Sequence, residues 1–186
     1  MHSRETPIND FGLIIAYILP GLLALHGLGY VISPIHQLMD PSLAQPTIAG
    51  FLLVTLASVG MGLMTSTVRW LVIDTIHHHT GVVADAWDFA KLQANAAAFD
   101  MLVNYQYRYY QFYGNTLIAL VWWELVRHFQ IGFGPKLWTF VDVLAIIACL
   151  LLFLGSRDTL NKYYQRKGRV LEWKKPQSRT TTQTME

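Results

Sequence analysis

The sequence is poor in charge and almost without cysteine. Charged residues make up 14% of the 186, while 53% are hydrophobic. An average soluble domain carries about 25% charged residues. So small a charged fraction is what a chain solvated partly by lipid would show. The single cysteine, Cys149, lies inside an apolar run, so the chain forms no internal disulfide and builds no thiolate zinc site. No alternation long enough for a barrel strand occurs, and there is no internal repeat. The first apolar run is not followed by a clear small-x-small cleavage site, which predicts a retained helix rather than a removed signal peptide. Phosphatase, acyltransferase, rhomboid and multi-histidine signatures are all missing. Glu124 with His128 is the one reactive pairing at hand, so no enzyme activity and no cofactor are expected.

Four apolar stretches are present, each compared with the ~20 residues a bilayer crossing needs. They are "FGLIIAYILPGLLALHGLGYVI" from Phe11 to Ile32 and "TIAGFLLVTLASVGMGLMTSTVRW" from Thr47 to Trp70. The other two are the shorter, charge-interrupted "TLIALVWWELVRHFQI" from Thr116 to Ile131, and "LWTFVDVLAIIACLLLFLG" from Leu137 to Gly155. Basic residues are unevenly placed. Eight of the fourteen follow Gly155, Arg69 closes the second stretch, Lys91 and Arg108 follow it before the third, and the loop "SPIHQLMDPSLAQP" has none. The positive-inside rule then puts both termini and the central segment in the cytoplasm.

The central segment, about 71–114, is too long for a turn. "HTG" around Thr80 and Gly81 reads as a break. From Asp85 the chain lacks proline, has no glycine before Gly114, and repeats apolar residues at spacings of three and four from Phe89 to Val103. One uninterrupted helix from about Asp85 into the third stretch is predicted, roughly 70 Å long at 1.5 Å per residue. The second stretch reads on past Arg69 as "LVIDTIHHH", so the two form a cytoplasmic hairpin. The expected fold is all-α: a four-span membrane domain over 11–160 with that insert, a polar N-terminus over 1–10, and a basic, partly disordered tail over 161–186.

Thr55, Ser58, Gly62, Thr65, Ser66 and Arg69 share a face of the second stretch. Small residues let membrane helices approach closely, so the stripe reads as packing. The alternative is the wall of a pore lined by one such helix per subunit, and both can hold for different parts of the stripe. Pro20 removes a backbone donor and predicts a kink in the first stretch. A lone His26 reads as a hydrogen-bonded packing residue. Glu124, Arg127, His128 and Asp142 read either as a buried ion-pair lock or as an ion pathway or gate. Three adjacent histidines, His77, His78 and His79, point about 100° apart on a helix and cannot converge on one metal. No metal site is expected, and the histidines read as interfacial or ligand-facing.

The stretch "VNYQYRYYQFYGN" has rings on every side. Tyrosine is enriched where helices meet headgroups, which makes it a belt. Arginine beside aromatics and amides also suits stacking on nucleic-acid bases. Candidate ligand contacts are Arg69, His77, His78, His79, Lys91, Tyr105, Arg108 and Tyr109. The basic tail reads as a topology anchor touching anionic lipid, with polyanion binding as its alternative.

"VRWLVIDTIHHHTGV" followed by "NYQYRYYQFYGN" resembles small four-helix membrane effectors of bacterial anti-phage defence, the Hailong-type effector first and the Kiwa membrane subunit second. The Hailong resemblance implies a homo-oligomeric inner-membrane channel, a tetramer being favoured. It further implies an oligonucleotide ligand, made by a partner nucleotidyltransferase, that holds the channel shut. The leading reading is an oligomeric channel effector with the second stretch lining its pore and a polyanionic ligand or soluble partner bound at the cytoplasmic hairpins; a non-channel scaffold or sensor subunit is the alternative, and a small lipid enzyme the weakest.

Overall fold

The computed structural model describes residues 12, 14–40, 47–83, 88–132 and 138–171. Among them every regular element is helical. In chain order these are α1 (Ile14–Gly29), α2 (Ser33–Met39), α3 (Ile48–His79), α4 (Phe89–Ala94), α5 (Ala96–Leu102), α6 (Arg108–Ile131) and α7 (Phe140–Leu171). Two of them, α3 and α7, are long and apolar enough to cross a membrane. α1 is apolar but shorter. α6 has the length, at 24 residues, but carries Glu124 and Arg127 among its apolar ones.

Local chemistry sets the ends. Thr47 caps α3 by accepting from the Gly50 N–H at 3.0 Å. α3 continues past Arg69, as its apolar pattern predicts, and stops at Thr80. There Gly81 takes a φ of +93°, a conformation open to glycine at little cost. α2 was not anticipated. Pro34 sits in its first turn, where a missing N–H costs nothing.

The uninterrupted helix expected from Asp85 is not formed. Residues 84–87 lie outside the described residues, and Asp88 caps α4 by accepting from the Ala90 N–H at 2.9 Å. Asn95 then leaves the helical region (φ −116°, ψ 20°), and its amide donates to the Lys91 carbonyl at 3.0 Å. Asparagine offers the backbone a local alternative to the next helical bond. This separates α4 from α5 despite the alanines on both sides. A second irregularity, the wide π-turn Val103–Tyr107, joins α5 to α6.

α1 lies against both α3 and α6, and α7 packs mainly on α6. The α1–α3 contact is close because glycines face backbone. A Cβ on Gly21 would lie 1.8 Å from the Ser58 carbonyl oxygen, and one on Gly62 would lie 2.2 Å from the Tyr17 carbonyl oxygen. Outside this contact α3 is apolar, with Phe51, Leu52, Leu53, Leu56, Leu63 and Met64 all exposed. The buried side of the same helix carries Ser58, Thr65 and Arg69. Ordinary globular packing is thus inverted along α3. The hairpin does not stand free either. Its far end is held by α7, where Arg157 donates to the Thr80 hydroxyl at 2.6 Å and to its carbonyl at 2.8 Å.

Gly21→Ala and Gly62→Ala should each lower the thermal unfolding midpoint, at an overpacking cost of about 1–3 kcal/mol. Gly60 has open space around it, so Gly60→Ala should be neutral or stabilising by up to about 1 kcal/mol. Equal effects at all three positions would contradict the close α1–α3 contact.

Candidate functional site

Two polar clusters sit at opposite ends of the helix bundle. The first is built around Arg69, which is 3% exposed. Its Nε donates to the Asn115 Oδ1 at 3.0 Å, and its Nη1 donates to the Asp74 Oδ1 at 2.7 Å. The guanidinium carbon lies 4.8 Å from the centre of the Tyr110 ring, within cation–π range. The Tyr110 hydroxyl donates to the same Asp74 oxygen. Gly114 gives the arginine room, since a Cβ there would lie 2.5 Å from Arg69 Cδ.

The cluster reaches α1 through Asn115, whose amide donates to the Ala16 carbonyl at 2.7 Å. That carbonyl is four residues before Pro20, which has no N–H to give it. The proline's effect is a π-helical segment over Ile14–Ile18 and an orphan acceptor that another helix satisfies. His77 is fully buried beside this cluster. Its Nε2 lies 3.0 Å from the Ser156 hydroxyl of α7, with Tyr110 and Phe153 rings against it.

The second cluster joins the end of α6 to the start of α7. Arg127 donates from Nε and Nη2 to the Glu124 Oε2, at 3.1 and 2.8 Å, and from Nη2 to the Asp142 Oδ1. His128 Nε2 lies 2.7 Å from that Asp142 oxygen. The other Asp142 oxygen accepts from the Thr139 hydroxyl at 2.8 Å and from the Thr139 N–H. Asp142 thus makes the carboxylate half of a capping box, while the Thr139 hydroxyl donates to it and the Asp142 N–H donates to the Thr139 carbonyl at 3.1 Å. Glu124, His128 and Asp142 each present a ligand atom within 4.8 Å of the others, a spacing a metal ion would accept. Arg127 already pairs with both carboxylates and supplies the positive charge a metal would bring.

The sequence-based site residues are distributed as follows. Of the α3 stripe, Ser58, Gly62, Thr65 and Arg69 are buried within the single subunit, and Thr55 and Ser66 are half-buried at its edge. Packing therefore occupies most of that face. Glu124, Arg127, His128 and Asp142 come together. The candidate ligand contacts do not form one surface. Arg69 and His77 are interior, the His78 ring stacks on Tyr164, and His79 is exposed. Lys91 is half-buried on α4, and Arg108 lies against Gly12. Tyr105 and Tyr109 are exposed, and the shallow groove beside Tyr105 includes Met101, Gln106 and Arg166 but none of the histidines. Tyr110 is buried with Val82, Leu160 and Tyr163, and the Tyr107 ring packs on Tyr110 and Tyr163. His26 accepts from the Trp123 indole at 3.0 Å.

Asp74, Tyr110, Asn115 and Ser156 were not singled out from sequence. Asp74 had a readable signal, since an arginine ending an apolar run needs an acid and this one follows five residues later on the same helix. Asn115 and Ser156 had none, because their partners are 99 and 79 positions away. No protein-family model, curated protein or solved structure matches the chain.

Asn115→Ala should destabilise the fold by about 1–3 kcal/mol, because it leaves a buried acceptor and a buried donor unpaired. Pro20→Ala restores an N–H four residues after Ala16. In a double-mutant cycle read by chemical denaturation, the Asn115→Ala cost should be smaller in the Pro20→Ala background. An additive pair would mean the two sites do not share that carbonyl. Arg127→Met should cost more, about 3–5 kcal/mol, since it strands two carboxylates.

Proposed function

We propose that this chain is an integral membrane protein in which α1, α3, α6 and α7 cross the bilayer. We propose further that it is a non-enzymatic scaffold or sensor subunit, whose cytoplasmic helical layer engages a soluble partner. The inverted polarity of α3 carries the membrane part. Its exposed face is leucine, phenylalanine and methionine, and its hidden face holds serine, threonine and arginine. In water this arrangement would expose a broad apolar surface. In lipid it keeps the serine, threonine and arginine of the hidden face away from the hydrocarbon, as a bilayer requires. The cytoplasmic layer consists of α4, α5, the turn Val103–Tyr107 and the second half of α7. Tyr105 and Arg166 of this layer are exposed, as are His79 at the end of α3 and Tyr109 in the first turn of α6, which offers rings and positive charge to a partner or polyanion.

The oligomeric channel is the second reading. Thr55 and Ser66 at the edge of the α3 stripe keep partial exposure and favour it. The burial of Ser58, Gly62 and Thr65 inside one subunit supports the scaffold instead, because the remaining outward face of α3 is apolar. A place in bacterial anti-phage defence, with a nucleotidyltransferase-made oligonucleotide as ligand, rests on the sequence resemblance and is part of this proposal.

The chain should stay in the membrane fraction through alkaline carbonate extraction. In a Cys149→Ser background, a cysteine at Gln93 should react with reagents applied to the cytoplasmic side, and one at Gln37 with impermeant reagents outside. Both residues are exposed. Reaction of both from the same side would overturn the topology. Protein in liposomes should pass no current. A conductance that Ser58→Trp leaves intact and Thr55→Trp blocks would replace the scaffold with the channel.

A further inference from the structure

His77 is a titratable ring with no water contact, at 0% exposure. It lies in the last turn of α3, seven residues beyond Trp70 and so past the apolar stretch. The rings of Phe153 and Tyr110 flank it, their centroids 5.1 and 6.3 Å from its own. Its Nε2 meets the Ser156 hydroxyl at 3.0 Å, and its Nδ1 is buried with no hydrogen-bond partner. The same end of α3 is fastened to α7 a second time, by Arg157 on the Thr80 hydroxyl and carbonyl. Just beyond, the Val82 N–H donates to the His77 carbonyl at 3.0 Å, and the Val82 side chain is buried with Tyr110, Leu160 and Tyr163.

A neutral imidazole fits this setting and an imidazolium does not. The neutral ring has one N–H and one lone pair, so the Ser156 hydroxyl can pair with Nε2 in either tautomer. The cation carries an N–H on both nitrogens, and the one on Nδ1 would find no acceptor. The surrounding charge acts the same way. On α7, Arg157 directly follows Ser156. On α3, Arg69 lies two turns back, with its guanidinium over the Tyr110 ring. α3 also supplies Asp74, whose Oδ1 already accepts from Arg69 and Tyr110, and His78, which stacks on Tyr164. α6 presents the Tyr110 hydroxyl, which is committed to Asp74. Burial first, and then the Arg157 charge, hold the His77 pKa below the ordinary 6.5, while Asp74 opposes them without reversing the sign.

We propose that His77 is an acid-released latch. Neutral, it keeps the end of α3 seated on α7. Protonated, it leaves its pocket, takes residues 77–82 with it and opens the far end of the hairpin. Linkage fixes the direction. The closed form disfavours the proton, so the latch contributes its full stability above pH 6.5, where the ring is neutral in both forms. That contribution is lost as the pH falls below 6.5 towards the lower pKa of the closed form. The latch requires neither the membrane reading nor a partner.

The test uses the full chain in detergent micelles at pH 7.5 and 5.5. Two quantities are read by mass spectrometry. One is the hydrogen–deuterium protection of the Thr80, Gly81 and Val82 amides, corrected for the pH dependence of intrinsic exchange. The other is the pKa of each histidine, from deuteration of its ring carbon across a pH series. The His77 pKa should lie below those of the exposed His78 and His79. Protection at Thr80–Val82 should fall several-fold on acidification, up to about the tenfold that one proton on a freed histidine of pKa ~6.5 allows. His77→Gln keeps a neutral polar side chain and should hold protection constant between the two pH values. The double variant His78→Gln, His79→Gln should keep the wild-type loss, which tests the latch even if His77→Gln does not fold. A His77 pKa at or above 6.5 would overturn the proposal, as would protection that ignores pH. So would a pH response that survives in His77→Gln or disappears in the double variant.

Discussion

A guanidinium inside a helix bundle is the constraint around which one end of this molecule is arranged. Arg69 needs an acid, acceptors and space, and four residues on two helices supply them. Asp74 comes from its own helix, Asn115 and the Tyr110 ring from α6, and the gap at Gly114 from the same helix. Asn115 is also tied to α1. An unpaired arginine at the centre of a spanning helix costs about 2.5–3.5 kcal/mol on the insertion scale, so removing any one partner has effects on the others. Three π-helical segments, Ile14–Ile18, Trp70–Asp74 and Val103–Tyr107, fall at this end. They hold Ala16, Asp74 and Tyr107, each of which belongs to the cluster or packs on it. Wide turns of this kind re-aim carbonyls and side chains within an otherwise regular helix.

The opposite end is organised differently. The Glu124, Arg127, His128 and Asp142 cluster ties α6 to α7 where the chain has just reversed, and Thr139 closes it by donating its hydroxyl and N–H to Asp142. Between the two ends the helices meet through small residues and leave large apolar side chains on the outside. The molecule thus has polar fastenings at both ends and close backbone contact in the middle. Membrane bundles favour this division because apolar surface gives them little driving force for association.

Some of this was legible in the sequence and some was not. α3 was readable to its last turn, because its periodicity persists through "LVIDTIHHH" and "TG" follows it. The acid–base cluster on α6 and α7 was readable from charges that an apolar run must pair. The six-position stripe on α3 was seen, but periodicity gives the face of a helix and not what lies opposite. Close approach of α1 through Gly21 decided that. The aromatic stretch misled for a related reason. Tyr105 and Tyr109, the exposed pair, attracted the functional reading, while the buried Tyr110 and the packed Tyr107 do the structural work against Tyr163. Asn95 shows the limit of propensity, as one side-chain amide bonded to the preceding turn outweighs a run of alanines.

The bond between Asn115 and Ala16 also sets a schedule for biosynthesis. Its two ends are 99 residues apart, and a ribosome adds about 5–20 residues per second. An inserted α1 would therefore hold an unsatisfied carbonyl for roughly five to twenty seconds before its partner is even made. The Arg69 guanidinium would wait for Asn115 over a shorter interval. On the four-span topology proposed above, the first helices could not reach their final arrangement during that time, and the membrane insertion machinery would have to shelter them or let them stay shallow. On that topology α6 would be what commits α1 and α3 to the bilayer, so a nascent chain stalled before Asn115 would be an early target for quality-control proteases.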